Sequence, residues 1–112
     1  MAEEGDQVSI IPILQNMRSL LDAGWTQGAF ARDRDKNAIG SRDDRAVCWC
    51  YQGALYAAMP ASRMSWEPIE SLLHEVTEVD YLPNYNDDKK RTKAQVLESV
   101  DKAIKLAKER GL

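Results

Sequence analysis

The last 21 residues, Thr92 to Leu112, read TKAQVLESVDKAIKLAKERGL. The first four form a capping box, in which the side chains of Thr92 and Gln95 satisfy amide groups at a helix start. Gly111 occupies the C′ position, where a left-handed backbone commonly ends a helix. Between these signals, apolar residues recur at helical spacing: Val96, Leu97, Val100, Ile104 and Ala107. The stretch therefore predicts a long amphipathic helix.

Two further segments show the same spacing of apolar residues. The first has Ser9 as its predicted N-cap, Pro12 in its first turn and Gly24 at its end. Proline is tolerated in a first turn because the amide hydrogen that it lacks is not needed there. The other segment runs from Trp66 to about Glu78, with Ser65 as its predicted cap.

The middle of the chain predicts the most buried helix, from Asp44 to Ala58. Ser41 with Asp44 has capping-box spacing, Asp43 is a competing cap, and Pro60 ends the helix. One face of this helix would carry Val47, Cys50, Ala54 and Ala57. Small residues on that face would allow another helix to approach closely.

Two segments lack helical spacing. Residues Trp25 to Gly40 predict a strand, a turn over Asp33 to Asn37 and a second short strand, and Tyr81 to Arg91 predicts an irregular loop. We therefore expect a mainly α fold over residues 1–112, a compact single domain of four helices. A short β-hairpin-like segment would lie between the first two helices, and residues 1–8 would form a flexible N-terminus.

Composition places the chain among globular proteins. Of its 112 residues, 44% are hydrophobic and 29% are charged, and the net charge is −3. The acidic balance makes nucleic acid an unexpected partner. The longest apolar stretch near the acidic N-terminus is too short to span a bilayer, so we expect no membrane association and a cytoplasmic location. Cys48 and Cys50 are then reduced thiols.

Charge is unevenly distributed along the chain. From Lys89 to Leu112 there are eight basic residues and three acidic ones, whereas from Arg63 to Asp88 there are seven acidic residues and one basic one. This asymmetry could steer an anionic ligand toward the last helix. The alternative is a pair of neighbouring solvated surfaces.

One spacing suggests a calcium loop. Asp33, Asp35 and Asn37 alternate along the chain, and Asp44 occupies the twelfth position. Ala38 stands where such a loop needs glycine, and Asp44 is shorter than the usual bidentate glutamate. The alternative is a polar hairpin turn, which aspartate and asparagine favour.

A second constellation is catalytic: Cys50 as a nucleophile, His74 as its base, and Asp87 or Asn86 to orient the histidine. No motif around Cys50 builds an oxyanion hole, and a cysteine on a buried face usually acts as a small hydrophobic residue. Two cysteines and one histidine do not have the spacing of zinc ligands. Glycine patterns for phosphate or dinucleotide binding are absent, so we expect no cofactor.

Aromatic residues with polar groups are frequent in the chain. Trp49 and Tyr56 are seven residues apart, so on a helix they would share a face opposite Cys50 and Ala54. Both faces of a central helix could be buried, or the aromatic face could line a pocket for a planar ligand or a partner.

Three blocks of sequence resemble an uncharacterised domain-of-unknown-function family found in small proteins of bacteria and their phages. The blocks are Trp25 to Asp33, the Trp49-Cys50-x-x-Gly53-Ala54-Leu55 motif, and Asn86-Asp87 followed by Arg91-Thr92. The resemblance covers about Trp25 to Leu112. It departs at Tyr85, where tryptophan is expected, and near Ala38, where the turn often carries glycine. It implies a phage or mobile-element setting, and no activity is assigned to the family.

Polar residues of the third block lie before a helix start. Backbone amides at that start favour an anion, and Arg91 is suited to bidentate recognition of phosphate or carboxylate. The alternative is a loop held by an ion pair between Asp87 and Arg91.

We therefore expect a non-enzymatic binding module that captures a small anionic or nucleotide-like ligand. In a phage setting this ligand would be a host defence signal, and the location would be the host cytoplasm. The expected ligand-binding residues are Arg91, Thr92, Asn86, Asp87, Trp49, Tyr85, Trp25 and Gln27. One alternative is a protein–protein interaction module that inhibits a host protein, and another is an enzyme that depends on Cys50 and His74. Exposure of Trp66 or of the aromatic faces would indicate a homo-oligomer.

Overall fold

The computed structural model describes residues 9–60 and 67–112. Its described elements, in chain order, are α1 (Ile11–Ala23), β1 (Ala31–Arg32), β2 (Ala38–Ile39), β3 (Cys48–Trp49), α2 (Tyr51–Ala58), α3 (Glu67–Thr77), α4 (Leu82–Asp87) and α5 (Lys93–Glu109). Four of these helices have eight residues or more, and α4 has six. The expected mainly α fold with four principal helices and a small β segment is confirmed.

The apolar stripes of the helices meet in one core. Helix α1 packs against α2 and α5, and α3 packs against α5. Each helix contributes side chains that are almost completely buried, among them Leu14, Met17, Leu21, Leu55, Ile69, Leu73, Val96 and Val100. Burial of such residues is the main force that holds the four principal helices together.

Helix α5 has the predicted ends. The Thr92 hydroxyl accepts a hydrogen bond from the Gln95 amide at 3.1 Å, and the Gln95 side chain accepts one from the Thr92 amide at 3.0 Å. At the other end, Gly111 has φ 70°, and the Leu112 amide donates to the Ala107 carbonyl at 2.8 Å. Both the capping box and the glycine C′ position are therefore confirmed.

Helices α1 and α3 depart slightly from their predicted bounds. Ile10, not Ser9, is the N-cap of α1, although the Ser9 hydroxyl accepts a hydrogen bond from the Ile11 amide at 3.2 Å. The predicted end of α1 at Gly24 is confirmed. Helix α3 ends at Thr77 because Glu78 adopts a left-handed conformation, with φ 60°. The predicted start of α3 at Ser65 and Trp66 lies outside the described residues.

The predicted start of the central helix at Asp44 is wrong. Helix α2 begins at Tyr51, because Cys48 and Trp49 form strand β3 beside β1. Cys50 is the N-cap, and its sulfur accepts a hydrogen bond from the Gly53 amide at 3.2 Å. Trp49 therefore lies outside the helix and shares no helical face with Tyr56.

The predicted buried helical face is also wrong for the residues before Tyr51, because these residues are not part of α2. Val47 is 48% exposed, not part of a buried helical stripe. Asp43 does not cap α2. It accepts hydrogen bonds from the backbone amide and the guanidinium of Arg45.

The strand–turn–strand prediction is confirmed. Strand β1 lies between β2 and β3, and both pairings are antiparallel. Ala31 is opposite Ile39 on one side and opposite Trp49 on the other. The third strand was not predicted, and it places the start of α2 against the hairpin.

The predicted loop from Tyr81 to Arg91 contains a helix instead. Pro83 lies in the first turn of α4, where a proline is accommodated, and the helix packs against α2 and α3. Two consecutive residues of α4, Tyr85 and Asn86, are buried by this packing. Helix α4 thus brings the third sequence block against the segment that precedes β1.

Candidate functional site

Asn86 connects three parts of the chain through its side-chain amide. It is completely buried. Its Oδ1 accepts hydrogen bonds from Trp25 Nε1 at 2.6 Å and from the Tyr51 amide at 2.9 Å. Its Nδ2 donates to the Thr26 carbonyl at 3.1 Å and to Asp87 Oδ1 at 2.9 Å. The hydrogen-bonding capacity of the amide is therefore filled by the protein, which makes Asn86 a structural residue.

The segment before β1 is fastened to α4 by further hydrogen bonds. Gln27 Nε2 donates to the carbonyls of Asn86 and Asp88 at 2.8 and 2.9 Å. The Gly28 amide donates to Asp87 Oδ1 at 3.0 Å. Gln27, which we expected to contact a ligand, is thus used to hold two segments together.

Arg91 lies over the ring of Tyr85. Its guanidinium carbon is 3.7 Å from the ring centroid, and its Nε donates to the Tyr85 carbonyl at 2.8 Å. The alternative ion pair between Asp87 and Arg91 is wrong, because Asp88 Oδ2 is the carboxylate near the guanidinium, at 3.8 Å. These contacts account for Arg91 without a ligand, and its proposed role in anion binding stays a prediction.

A cavity of about 640 Å³ lies between the hairpin and α4. We call it the hairpin cavity. Its lining residues are Gly28, Ala29, Phe30, Ala38, Ile39, Gly40, Cys50, Tyr81, Pro83 and Asp87. Phe30 and Tyr81 are 49% and 59% exposed, so the cavity is bordered by aromatic surface that water reaches. Asp87 is the one charged residue among the described residues of this lining.

Among the expected ligand-binding residues, only Asp87 lines the hairpin cavity. The two tryptophans use their indole groups elsewhere: Trp25 Nε1 donates to Asn86, and Trp49 Nε1 donates to the Ser41 carbonyl at 3.0 Å. Tyr85 is buried beside α5, and Thr92 caps that helix. Apart from Asp87 and Cys50, sequence reasoning missed the described lining residues, of which Phe30, Ile39, Tyr81 and Pro83 have the largest side chains.

Cys50 and Asp87 line the same cavity, but His74 does not. His74 lies on α3, and its Nδ1 is 2.7 Å from the Val79 carbonyl oxygen. Burial raises the pKa of the Cys50 thiol, and the negative charge of Asp87 adds to the rise. An activated nucleophile needs a lowered thiol pKa, so the geometry gives no support to the catalytic hypothesis.

The thiol chemistry is testable with iodoacetamide. In a Cys48→Ser variant, Cys50 is the sole thiol of the chain. We expect folded protein at pH 7.5 to be alkylated more than about tenfold more slowly than urea-unfolded protein, because burial lowers the thiolate fraction and blocks access. The rate should rise with pH. Faster alkylation of the folded protein would restore the catalytic hypothesis.

The candidate calcium residues lie at the hairpin turn. Asp33 Oδ1 accepts hydrogen bonds from the amides of Asp35 and Asn37, each at 2.9 Å, and the bond from Asn37 is the main reason that the Asp33 pKa is lowered. Asp44 lines a surface cavity together with these three residues. Within residues 9–60 and 67–112, no group of three His, Cys, Asp or Glu side chains is placed to hold a metal ion. The polar hairpin turn accounts for the contacts of Asp33.

Comparison with known proteins assigns a family. The model of a family of unknown function (DUF6197) matches residues 6–106, so the chain belongs to that family. The match begins before α1, further toward the N-terminus than the resemblance from Trp25. Searches of curated proteins and of solved structures find no match to the chain. None of the helices in the described ranges has the length and apolar character needed to cross a membrane.

Proposed function

We propose that this member of the DUF6197 family is a non-enzymatic binding module whose ligand occupies the hairpin cavity. The observation that carries the proposal is an open cavity of about 640 Å³ whose described lining is apolar apart from a single charged side chain, that of Asp87. Ligand sites typically combine such an apolar lining with a few placed polar groups. The matching ligand has an apolar body and a cationic group.

The position of Asp87 supports a cationic group. Asp87 Oδ1 accepts hydrogen bonds from the Gly28 amide and from Asn86 Nδ2, which fix the carboxylate at the cavity. Oδ2 has no hydrogen-bond partner among the described residues. A fixed carboxylate with a free oxygen attracts an ammonium or guanidinium group and repels phosphate. The hairpin cavity therefore favours a cation over the nucleotide-like ligand expected from sequence.

The chemistry of the lining favours binding over catalysis. Cys50 is its one nucleophilic thiol, and that sulfur caps α2 through the Gly53 amide. A sulfur that accepts a hydrogen bond at a helix start, and whose pKa is raised by burial, is a structural group.

Three probes of similar shape test the charge preference: 2-phenylethylamine, 2-phenylethanol and 3-phenylpropionate. We expect calorimetric titration to rank the amine first and the carboxylate last. Asp87→Asn should weaken binding of the amine by up to about fivefold and leave the alcohol unchanged, because an exposed ion pair contributes modestly. The asparagine retains an oxygen for the Gly28 amide, so the fold should persist.

Asp88→Asn is the matched control. Asp88 is the adjacent carboxylate in sequence and does not line the cavity. Its replacement should change the affinity for the amine much less than Asp87→Asn does. Equal affinity of the native protein for the amine and the carboxylate would reject the assigned ligand class.

A further inference from the structure

Among the described strands, β1 is the one partner of β2, so the other edge of β2, beside the hairpin cavity, is paired with no described strand. Strand β2 lies at one side of the three-stranded sheet, with β1 as its neighbour. The Asp33 amide donates to the Asn37 carbonyl at 3.0 Å, and hydrogen-bonded pairs alternate along an antiparallel ladder. Ala31 and Ile39 are therefore the next hydrogen-bonded pair, and the N–H and C=O of Ala38 point away from β1.

The described part of the chain leaves this edge open. Ala38 is exposed, and no described residue hydrogen-bonds its outward groups. A Cβ placed on Gly40 would meet no described atom within 4 Å, so there is also free space beside the end of the strand. An open strand edge is a template on which another extended segment can pair.

The same edge forms part of the cavity wall. Ala38, Ile39 and Gly40 all line the hairpin cavity. In an added strand, successive side chains point to opposite faces. A segment paired with Ala38 can therefore place an apolar side chain in the cavity while its main chain bonds to the strand edge. Recognition by strand addition combines these two contributions, since main-chain bonds provide affinity and pockets provide specificity.

Charge complementarity limits the kind of segment. Asp87 is the one charged residue among the described residues that line the cavity, so a lysine or arginine two residues from the inserted side chain, on the same face of the incoming segment, would have a partner. We infer that the ligand of this site is an extended protein segment that pairs with Ala38, buries one apolar side chain in the hairpin cavity and sets a basic residue against Asp87. This inference rests on the proposed function and names its ligand.

The test uses a blocked pentapeptide, acetyl-Lys-Thr-Phe-Val-Thr-amide, in which the lysine and phenylalanine side chains lie on the same face of an extended strand, and five derivatives that each carry one N-methyl group. N-methylation removes a single main-chain donor and keeps every side chain. We expect the parent to bind more tightly than 2-phenylethylamine. Methylation at one or two positions should weaken binding about tenfold, the effect of a lost hydrogen bond, while the other positions should have little effect.

A pair of protein variants tests the strand edge directly. Ala38→Pro removes the outward N–H, to which no described residue hydrogen-bonds, whereas Ala38→Val keeps it. We expect the proline variant to bind the parent peptide about tenfold more weakly than the valine variant. Thermal unfolding of both variants verifies that the fold is retained. If Ala38→Pro does not fold, the N-methylated peptides alone decide whether the segment pairs with the strand edge.

The outcomes separate this inference from the proposed function. If the amine and the peptide bind but no methyl position matters, strand pairing is rejected and the cavity remains a binding site. If neither binds, both proposals are rejected. If the protein alone is a dimer by sedimentation and Ala38→Pro makes it a monomer, a second copy occupies the edge, and a foreign segment is rejected.

Discussion

Replacing Asn86 with leucine is expected to lower the free energy of unfolding by about 4 kcal/mol. Leucine has a similar size, but it leaves three groups without a partner: the buried Tyr51 amide and the partly buried Trp25 Nε1 and Thr26 carbonyl. Each unsatisfied buried group costs about 1–3 kcal/mol. Urea unfolding, followed by circular dichroism, measures the loss.

Asn84→Leu is the matched control for this change. Asn84 lies on the same helix, two residues before Asn86, and is exposed. Its replacement should change the free energy of unfolding by no more than about 0.5 kcal/mol, as is usual for a surface residue. A loss below about 1 kcal/mol for Asn86→Leu would mean that the network of hydrogen bonds around Asn86 does not hold α4 to the hairpin.

Replacing Gly53 with alanine is expected to destabilise the protein by about 3 kcal/mol or more. A Cβ at this position would lie 2.0 Å from the Phe30 carbonyl oxygen and 2.8 Å from its carbon. These are backbone atoms, so no side-chain rotation relieves the overlap. The same carbonyl accepts the Cys50 amide at 3.0 Å, and moving it would also loosen the junction of β1 with the start of α2.

Gly40→Ala gives the control, measured in the same thermal and urea unfolding experiments. Its Cβ would meet no described atom within 4 Å, and Gly40 is not among the described residues with positive φ. Alanine is favoured over glycine within a helix by about 1 kcal/mol, so propensity alone predicts that Gly53→Ala stabilises α2. Stability of Gly53→Ala equal to or above that of the native protein would contradict the close packing of Phe30 on α2.

Helices whose start and end are determined by residues close together in the sequence could be predicted from it. The capping box and the glycine C′ of α5 are formed by residues close in sequence, so pattern and structure agree. The start of α2 is different, because Cys48 and Trp49 are drawn into β3 by pairing with β1, which is distant in sequence. Helix α4 was missed because six residues offer too short a periodic pattern.

Several polar residues that we expected to bind a ligand come together in the structure, and the contacts that it shows for them are structural. Asn86, Gln27 and Arg91 satisfy backbone groups or cover a ring. A residue type suited to a ligand is equally suited to a buried carbonyl or amide, and one sequence does not distinguish the two uses. The hairpin cavity is lined by Phe30, Ile39 and Tyr81, which belong to separate segments of the chain. No local sequence pattern therefore predicts the cavity.

The most direct test of the account is the site of ligand binding, measured by changes in amide chemical shifts of ¹⁵N-labelled protein. Phenylethylamine and a pool of nucleotides and cyclic nucleotides are titrated separately at equal concentrations. We predict that the amine shifts the amides of Gly28, Ala29, Ile39 and Gly40, and that nucleotides leave them unchanged. Nucleotide-induced shifts centred on Arg91, Thr92 and Lys93, with no response of the cavity amides to the amine, would contradict the account and restore the anion site at the start of α5.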